Sequence, residues 1–362
     1  MNWNTSSRYV FITSTTKELN FEYRNKLACF DLDGTLITTK SGKRFANNED
    51  DWKFYSNNVV AKLKYFYENG FCIIIITNQS GLTNQGKVTT WCNKVDKIVS
   101  QINLPMKLFC SISHDKYRKP MPGFMELILA NLEPKKHSKS FYCGDACGRT
   151  NDHSDTDYKF ALNTGLKFIT PEELFDNTKV IVPDIIYPAF DEIKVLTKLL
   201  DEVKIDFCDK EIILMVGFPG SGKSTFVQNT LEPLGYVRIN RDSLLTTAKC
   251  LKETKKNLEA GNSIVVDNLN HDKKTRTQYI KLAQEYNYTV RCIIIDVSMD
   301  LSRHNATYRY YKGITENIPE IVYRMYRKNY KAPTVEEGIK EIMKIKPKIN
   351  VVDNDYNKLY MT

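Results

Sequence analysis

Long apolar runs are what this sequence most clearly lacks. No stretch of the 362 residues approaches the roughly 20 consecutive apolar residues that a membrane-spanning helix requires. The opening segment, residues 1–8, carries no apolar core of a secretory signal peptide. Internal repeats and low-complexity segments are also missing, while 42% of the residues are apolar. The composition therefore predicts a globular protein rather than a membrane-spanning, secreted or disordered one.

Paired cysteine motifs are scarce as well. The nine cysteines are an odd number, and the pair Cys143 and Cys147 lacks the second pair that would make a zinc site convincing. Four others lie inside apolar, strand-like segments, as reduced core cysteines do: Cys29, Cys72, Cys110 and Cys292. We therefore expect an intracellular, reducing environment.

Basic residues outnumber acidic ones by 52 to 43, which gives a net charge of +9. This excess fits a solvated basic surface that aids solubility. It equally fits attraction to a polyanion such as nucleic acid. Charge alone does not separate these interpretations, so the motifs must do so.

Length and residue pattern predict two α/β domains. Strand-like apolar runs alternate with amphipathic helical stretches in both halves, which is typical of parallel sheets. The predicted strands are 26–32, 71–76, 108–112, 141–143, 211–216, 236–239, 263–267 and 288–296. We predict a first domain over residues 1–180 and a second over 206–362. The connecting arm, 181–205, overlaps a helix-like stretch at 189–203.

Two carboxylates follow the first predicted strand. Asp31 and Asp33 stand in the segment Asp-Leu-Asp-Gly-Thr, at the strand edge where α/β active sites lie. Asp31 is a candidate nucleophile that would form an aspartyl-phosphate. Asp33 is a candidate acid that would protonate the leaving oxygen and then activate water. The alternative is an ordinary turn at a strand end, where Asp and Gly are common.

Three further segments would complete a phosphatase site. Thr77 and Asn78 end the next strand with groups that can bind phosphate oxygens. Lys119 supplies a cation for the transferred phosphoryl group, although a solvated surface lysine is the alternative when it is considered alone. Asp145 ends a third strand with another carboxylate.

The same carboxylates predict a metal site. Asp31, Asp145 and the main-chain carbonyl of Asp33 would provide the oxygen ligands that Mg²⁺ prefers. Three more aspartates follow in a loop: Asp152, Asp155 and Asp157. Among these we favour Asp157 as a support for the metal, with a helix N-cap as the alternative.

A glycine-rich loop follows the strand predicted at 211–216. Its spacing, Gly-x4-Gly-Lys-Ser between a strand and a helix, is that of an ATP-binding phosphate loop. The backbone N–H groups would bind phosphate, Lys223 would bridge phosphate oxygens and Ser224 would ligate Mg²⁺. The candidate ATP-binding residues are Gly217, Phe218, Pro219, Gly220, Ser221, Gly222, Lys223, Ser224 and Thr225.

Later segments predict the acceptor side of a kinase. Asp242 is the candidate base for a hydroxyl proton, with a helix N-cap as the alternative. Arg241 and Asn268 are candidate acceptor-binding residues, and Asp267 occupies a position that could support Mg²⁺. Arg303 and Arg309 are candidates for a lid over the triphosphate, or else an exposed helix face. A second helix is predicted to bury the stripe Ile318, Ile321, Val322 and Met325.

The phosphatase motifs over residues 26–175 resemble those of the haloacid-dehalogenase superfamily. Taken in order along the whole chain, the motifs resemble the eukaryotic-type polynucleotide kinase 3′-phosphatases. The matching segments are 31–36, 77–79, 117–120, 144–149, 160–165, 169–175, 217–226, 241–242, 267–268, 303–305 and 326–334. The implied fold is a haloacid-dehalogenase-like parallel-sheet domain followed by a P-loop kinase α/β domain. Two departures stand out: Asp31 leaves no room for an N-terminal forkhead-associated domain, and Thr307 replaces a lid arginine.

The resemblance implies an enzyme that heals broken nucleic acid. It would remove 3′-phosphates and phosphorylate 5′-hydroxyls, with Mg²⁺ and with ATP as phosphoryl donor. The expected partners are DNA ends and, functionally, a DNA ligase. The implied location is the nucleus in a eukaryotic cell, otherwise the cytoplasm or a virus. The alternatives are a metabolic fusion of a sugar-phosphate phosphatase with a small-metabolite kinase, and an inactive binding scaffold.

Overall fold

The chain folds into two compact units in the computed structural model. The structure describes residues 2–5, 9–13, 26–130, 139–199, 204–349, 353 and 355–362. Unit 1 comprises Met1–Ile186 with Lys358–Met361, and unit 2 comprises Tyr187–Asn357 with Thr362. The predicted helix at 189–203 is observed as α6, Pro188–Leu196, in unit 2. Residues 200–203 of that stretch lie outside the described residues.

The described strands of unit 1 form a seven-stranded sheet in the order β1-β2-β7-β6-β3-β8-β9. The strands from β7 to β9 run parallel, whereas β1 and β2 add an antiparallel edge that the sequence did not predict. Their bounds are β1 Asn2–Thr5, β2 Tyr9–Thr13, β3 Lys26–Phe30, β6 Phe71–Asn78, β7 Met106–Ser111, β8 Phe141–Cys143 and β9 Lys167–Ile169. A short hairpin follows β3: β4 Ile37–Thr38 and β5 Lys53–Phe54.

Helices cover both faces of this sheet, which explains why β3 and β6 are almost wholly apolar and buried. The helices are α1 Val59–Glu68, α2 Gln85–Ile102, α3 Gly123–Leu129, α4 Thr156–Thr164 and α5 Pro171–Asp176. Local signals fix their ends. Asn84 caps α2 by accepting from the Lys87 N–H, and Thr170 with Glu173 forms a capping box on α5.

Unit 2 has a parallel sheet, whose described strands follow the order β11-β12-β10-β13-β14. The bounds are β10 Glu211–Val216, β11 Val237–Ile239, β12 Ile264–Val266, β13 Thr289–Ile295 and β14 Glu341–Ile345. The helices after α6 are α7 Lys223–Phe226, α8 Arg241–Leu244, α9 Thr247–Glu259, α10 Lys273–Glu285, α11 Met299–Tyr311 and α12 Glu320–Asn329. Every residue of the central strand β10 is buried. The α/β class predicted for both halves is confirmed.

The predicted core stripe on α12 is wrong. Ile321 and Met325 are 57% and 54% exposed, while Tyr323 and Tyr326 are buried. The Tyr326 ring packs inward against Phe218, with the ring centroids 4.4 Å apart and the ring planes tilted by 40°. Apolar spacing identified a helix here but selected the wrong face.

The nine cysteines, all within the described ranges, are free thiols. Burial raises the pKa of the Cys29, Cys110 and Cys143 thiols above the usual range, so these groups stay protonated at neutral pH. Of the helices in the described ranges, none combines the length and apolarity that spanning a membrane would need.

A buried ion pair in unit 2 joins α10 to the segment that precedes β14. Arg276 of α10 is fully buried, and its Nη2 lies 2.6 Å from Oε1 of Glu337. Its Nη1 donates to the carbonyl oxygens of Asn270 and Lys331. Breaking such a pair leaves an uncompensated carboxylate in the interior.

We predict that Arg276→Met destabilises unit 2 by about 3–5 kcal/mol. Urea unfolding followed by far-ultraviolet circular dichroism measures this loss. All three tryptophans lie in unit 1, at positions 3, 52 and 91, so tryptophan fluorescence gives an internal reference that should not change. Lys256→Met is the matched control, because Lys256 and Glu253 form an exposed pair and its loss should be undetectable. Equal losses in the two variants would contradict the prediction.

Candidate active sites

The carboxyl edge of the unit 1 sheet brings the predicted phosphatase residues together. Asp31 directly follows β3, Thr77 and Asn78 end β6, and Asp145 lies two residues beyond β8. Because β6, β3 and β8 are neighbours in the sheet, these strand ends are adjacent. The Asp31 N–H donates to the carbonyl of Cys143 at 2.9 Å, which joins the Asp31 motif directly to the strand that precedes Asp145.

Lys119 is the hub of this site, not a surface lysine. Its side chain is 3% exposed, and its Nζ lies 2.6 Å from Oδ1 of Asp31 and 2.7 Å from Oδ1 of Asp157. It also donates to Oη of Tyr142 at 2.7 Å. Tyr142 in turn donates to Asp157. The solvated-surface alternative for Lys119 is therefore wrong.

The charges of this cluster are set by burial and by each other. Burial raises the pKa of Asp31 well above its usual range, while Lys119 acts in the opposite direction. Burial alone would lower the pKa of Lys119, but Asp157 and Asp31 outweigh it and the pKa is raised. The lysine therefore stays protonated and offsets the negative charge of the two carboxylates.

Asp157 lies in the first turn of α4 and is not its N-cap. Asp155 occupies the cap position, so the N-cap alternative for Asp157 is wrong. The Asp157 carboxylate instead accepts from Lys119 and from the Ala146 N–H at 3.1 Å. A Cβ on Gly144 would lie 2.5 Å from Cγ of Asp157, so only glycine allows this approach.

Three carboxylates of this edge form a group suited to a metal ion. Asp31, Asp145 and Asp157 each place one oxygen within 4.8 Å of the others. Hard oxygen donors of this kind fit Mg²⁺. Thr35 donates to Asp145 at 3.4 Å, and a Cβ on Gly34 would collide with Asp145, so the turn after Asp33 is shaped around that carboxylate. The other two loop aspartates are used differently: Asp152 pairs with Arg149 and Asp155 with Lys159.

Asn78 contacts the main chain of Lys119. Its Oδ1 accepts from the Lys119 N–H and its Nδ2 donates to the Lys119 carbonyl, both at 3.0 Å. This side chain therefore holds the loop that carries Lys119. Thr77 is buried, and its Oγ1 accepts from Nε2 of Gln79 at 3.0 Å.

Asp33 is held by Gln79, which belongs to the predicted motif at 77–79, and by Lys94, which sequence reasoning missed. Gln79 Nε2 donates to its Oδ2 at 2.6 Å, and Lys94 Nζ lies 3.2 Å from its Oδ1. Lys94 belongs to the buried face of α2. A lysine on the apolar stripe of an amphipathic helix is the sequence signal that would have identified it.

In unit 2 the phosphate loop follows β10 and leads into α7. Gly217, Gly220 and Gly222 all have positive φ, and a Cβ on Gly220 would lie 2.3 Å from the carbonyl oxygen of Ser302. Asn305 of α11 donates to the carbonyl of Gly220 at 3.0 Å. These contacts fix the backbone conformation of the phosphate loop, and α11 packs against the loop.

Lys223 is folded back onto its own loop. Its Nζ donates to the carbonyl oxygens of Gly217 and Phe218 at 2.8 and 2.7 Å. Burial lowers the pKa of Lys223 to about 8, and the charges of Asp267 and Asp242 act against this shift. Both carboxylates therefore lie within electrostatic range of the loop lysine.

Asp242 lies inside α8, and Asn240 is the N-cap. The Asn240 side chain accepts from the N–H groups of Asp242 and Ser243, so the N-cap alternative for Asp242 is wrong. Asn240 also donates to Asp267, which pairs with Arg238. Asp242 is exposed.

The acceptor candidates lie at α8 and after β12, and the lid candidates lie on α11. Asn268 accepts from the Arg241 N–H at 2.8 Å, so these two neighbour Asp242. Arg303 and Arg309 both lie on α11. Arg303 pairs with Glu320 of α12, whereas Arg309 is exposed in the last turn.

Both halves of the chain match known protein families. Residues 26–175 match the family model described as polynucleotide kinase 3 phosphatase. Residues 212–257 and 245–333 match the model described as AAA domain. The first match covers the Asp31 site and the second covers the phosphate loop.

Two relatives are similar over most of the chain. A bifunctional polynucleotide phosphatase/kinase of Schizosaccharomyces pombe is 36% identical over 326 residues, 88% of this chain and 79% of the relative. A putative bifunctional polynucleotide phosphatase/kinase of Acanthamoeba polyphaga mimivirus is 35% identical, over 94% of this chain and 89% of the relative. A polynucleotide 3′-phosphatase of Saccharomyces cerevisiae is 28% identical over 42% of this chain and 89% of its own length.

We predict that Asp145 makes unit 1 sensitive to pH when no metal is added. Burial, together with Asp157, raises the pKa of Asp145 from 3.8 to about 7. The native state thus holds a proton that the unfolded state releases. This group's stabilising contribution is full below pH 3.8 and is lost as pH rises through about 7. The free energy of unfolding of Asp145→Asn minus that of the wild type should rise over this window and then level off.

Tryptophan fluorescence during urea unfolding in a chelating buffer measures this difference. Adding Mg²⁺ at pH 8 should stabilise the wild type more than Asp145→Asn, because the carboxylate is an expected ligand. Asp191→Asn, an exposed carboxyl of unit 2, is the control and should leave the profile unchanged. A difference that does not vary with pH would refute the assignment.

Proposed function

This chain belongs to the family of bifunctional polynucleotide phosphatase/kinases, and we propose that it heals broken nucleic acid with one chemistry in each unit. Unit 1 removes 3′-phosphates, and unit 2 phosphorylates 5′-hydroxyl ends. One observation carries the proposal: a buried Asp31–Lys119–Asp157 cluster and a phosphate-loop lysine within electrostatic range of Asp242 occur in the same chain. The metabolic fusion is not favoured, because the relatives that match most of the chain act on polynucleotides.

In the phosphatase reaction, Asp31 is the nucleophile. One carboxylate oxygen attacks phosphorus, the bond to the 3′-oxygen breaks, and Asp33 gives that oxygen a proton. Asp33 then takes a proton from a water molecule that attacks the aspartyl-phosphate and releases phosphate. Lys119 lies against Asp31 and offsets the charge of the phosphoryl group as it is transferred.

Mg²⁺ fits this site because its donors are carboxylate oxygens. Asp31, Asp145 and the main-chain carbonyl of Asp33 would hold it, with Asp157 close by. The ion would supply positive charge against the phosphate oxygens. Thr77 would contact a phosphate oxygen, while Asn78 positions the Lys119 loop.

In the kinase reaction, Asp242 accepts the proton of the 5′-hydroxyl while that oxygen attacks the terminal phosphorus of ATP, and ADP leaves. Residues 217–225 bind the triphosphate through backbone N–H groups, with Lys223 on phosphate oxygens and Ser224 as a ligand for Mg²⁺. Arg241 and Asn268 lie beside Asp242, where they would bind the acceptor strand. The products, a 3′-hydroxyl and a 5′-phosphate, are the ends that a ligase joins.

DNA is the proposed substrate, since a net charge of +9 favours a polyanion. The nine free thiols support an intracellular, reducing environment. The test uses a nicked duplex with 3′-phosphate and 5′-hydroxyl ends, incubated with Mg²⁺ and labelled ATP. Release of phosphate together with labelling of the 5′ end supports the proposal. Loss of either activity from the folded wild-type chain contradicts it.

We predict that Asp31→Asn abolishes 3′-phosphatase activity and leaves 5′-kinase activity unchanged. The amide is isosteric with the carboxylate but cannot attack phosphorus, and the kinase residues belong to the other unit. Separate labelled oligonucleotides report the two rates. A variant that folds yet loses both activities would show that the two chemistries are not independent.

We predict the reverse for Asp242→Asn, with kinase turnover falling roughly 10²–10⁴-fold and phosphatase activity retained. Asn240 caps α8, so the substitution leaves the helix start intact. Asp300→Asn, in the first turn of α11, is a control of the same chemical change. A near-normal kinase rate in Asp242→Asn would rule out the general-base role.

We predict that Arg309→Ala lowers kinase kcat with little change in the KM for ATP. Arg303 is already paired with Glu320, so exposed Arg309 is the side chain available to close over the triphosphate. Steady-state kinetics on a 5′-hydroxyl oligonucleotide measure the effect. An unchanged kcat/KM would remove Arg309 from the site.

A further inference from the structure

Lys94 is a lysine placed among apolar residues. The inward face of α2 otherwise consists of Val88, Trp91, Val95, Ile98, Val99 and Ile102. The Lys94 side chain is 8% exposed. An ammonium group in such a position is costly unless a partner compensates its charge.

The partner of this ammonium is Asp33. Its Nζ lies 3.2 Å from Oδ1 of Asp33, and this is the one ion pair of Lys94 within the described part of the chain. The second oxygen of Asp33 accepts from Gln79, whose amide nitrogen also donates to Thr77. Each oxygen of Asp33 is therefore held by a residue from a different part of unit 1.

Asp33 needs such contacts because it is not enclosed by the fold. Its side chain is 46% exposed, in contrast to the 10% of Asp31. It stands in a turn, where an untethered carboxyl group would sample several rotamers in water. A reacting group displaced by about 1 Å can lose about 10²-fold in rate.

Another lysine on α2 forms ordinary, solvent-exposed ion pairs and serves as a comparison. Lys97 lies three residues further on and pairs with Glu49 and Asp50 in the loop between β4 and β5. Its side chain is 40% exposed and reaches no residue of the reaction. Lys94 differs both in burial and in the identity of its partner.

We propose that Lys94 is a positioning residue that holds the Asp33 carboxyl group where it exchanges protons with the leaving oxygen and with water. The inference rests on the proposed phosphatase activity. It adds to that activity a role for a residue of α2, which lies outside the motif segments. Lys94 acts through Asp33 and does not itself react.

The test compares two leaving groups under single-turnover conditions. One oligonucleotide carries an ordinary 3′-phosphate, and its partner carries a 3′-S-phosphorothiolate, in which sulfur bridges the sugar and phosphorus. The alkoxide needs a proton from Asp33 as the P–O bond breaks, whereas the thiolate leaves without one. Both substrates need attack by Asp31 and neutralisation by Lys119.

Lys94→Met should slow cleavage of the P–O bond by roughly 10–100-fold and change cleavage of the P–S bond less than about twofold. Lys94→Arg, which keeps a cationic donor, should restore part of the P–O rate. Lys97→Met is the matched control and should change neither rate. Kinase activity of each preparation reports the active concentration, because that site lies in unit 2.

Equal slowing on both substrates would overturn the proposal, because Lys94 would then act on the nucleophile or on the fold. Unchanged rates on both would also overturn it, since the pair would be dispensable. A wild type that cleaves neither substrate would instead refute the phosphatase activity itself. If tryptophan fluorescence shows that Lys94→Met is unfolded, the P–O and P–S cleavage rates are measured on Lys94→Gln instead, with the same expected and contradicting results.

Discussion

The protonated amine of Lys119 is the interaction on which unit 1 depends. It lies between the carboxylates of Asp31 and Asp157, all three buried, at the edge where the strands end. Without this cation, two or three like charges would be forced together in an interior of low dielectric constant. The same contact places positive charge beside Asp31, the proposed nucleophile. Stability of the edge and the proposed reactivity of Asp31 therefore have one physical cause.

In unit 2 the charge of the buried Lys223 is stabilised by backbone carbonyl oxygens. Lys223 donates to carbonyl oxygens of its own loop, and the positive φ of three glycines makes that curve possible. These contacts hold Lys223 against the loop, and Asp242 and Asp267 lie within electrostatic range of it. A bound triphosphate would exchange these carbonyl contacts for phosphate oxygens.

Residues that share a strand end were predictable, and residues that meet through packing were not. Asp31, Asp145 and the phosphate loop follow buried apolar strands, so their common edge follows from the parallel sheet. From the sequence, Asp157 could be either a support for the metal or a helix N-cap, because its partner Lys119 is distant in sequence. The predicted α12 stripe was wrong because packing of Tyr326 against Phe218, not apolar spacing, decides which face is inward.

The sequence by itself determined the class of fold and the two phosphate chemistries, and it supplied the candidate residues for each. Each of these depends on short-range patterns: strand, turn and helix within about ten residues. Tertiary structure alone decided which groups support them, namely Asn78 on the Lys119 loop, and Gln79 and Lys94 on Asp33. The reason is physical, because burial and charge pairing between segments 40 or more residues apart exist only after the chain has packed.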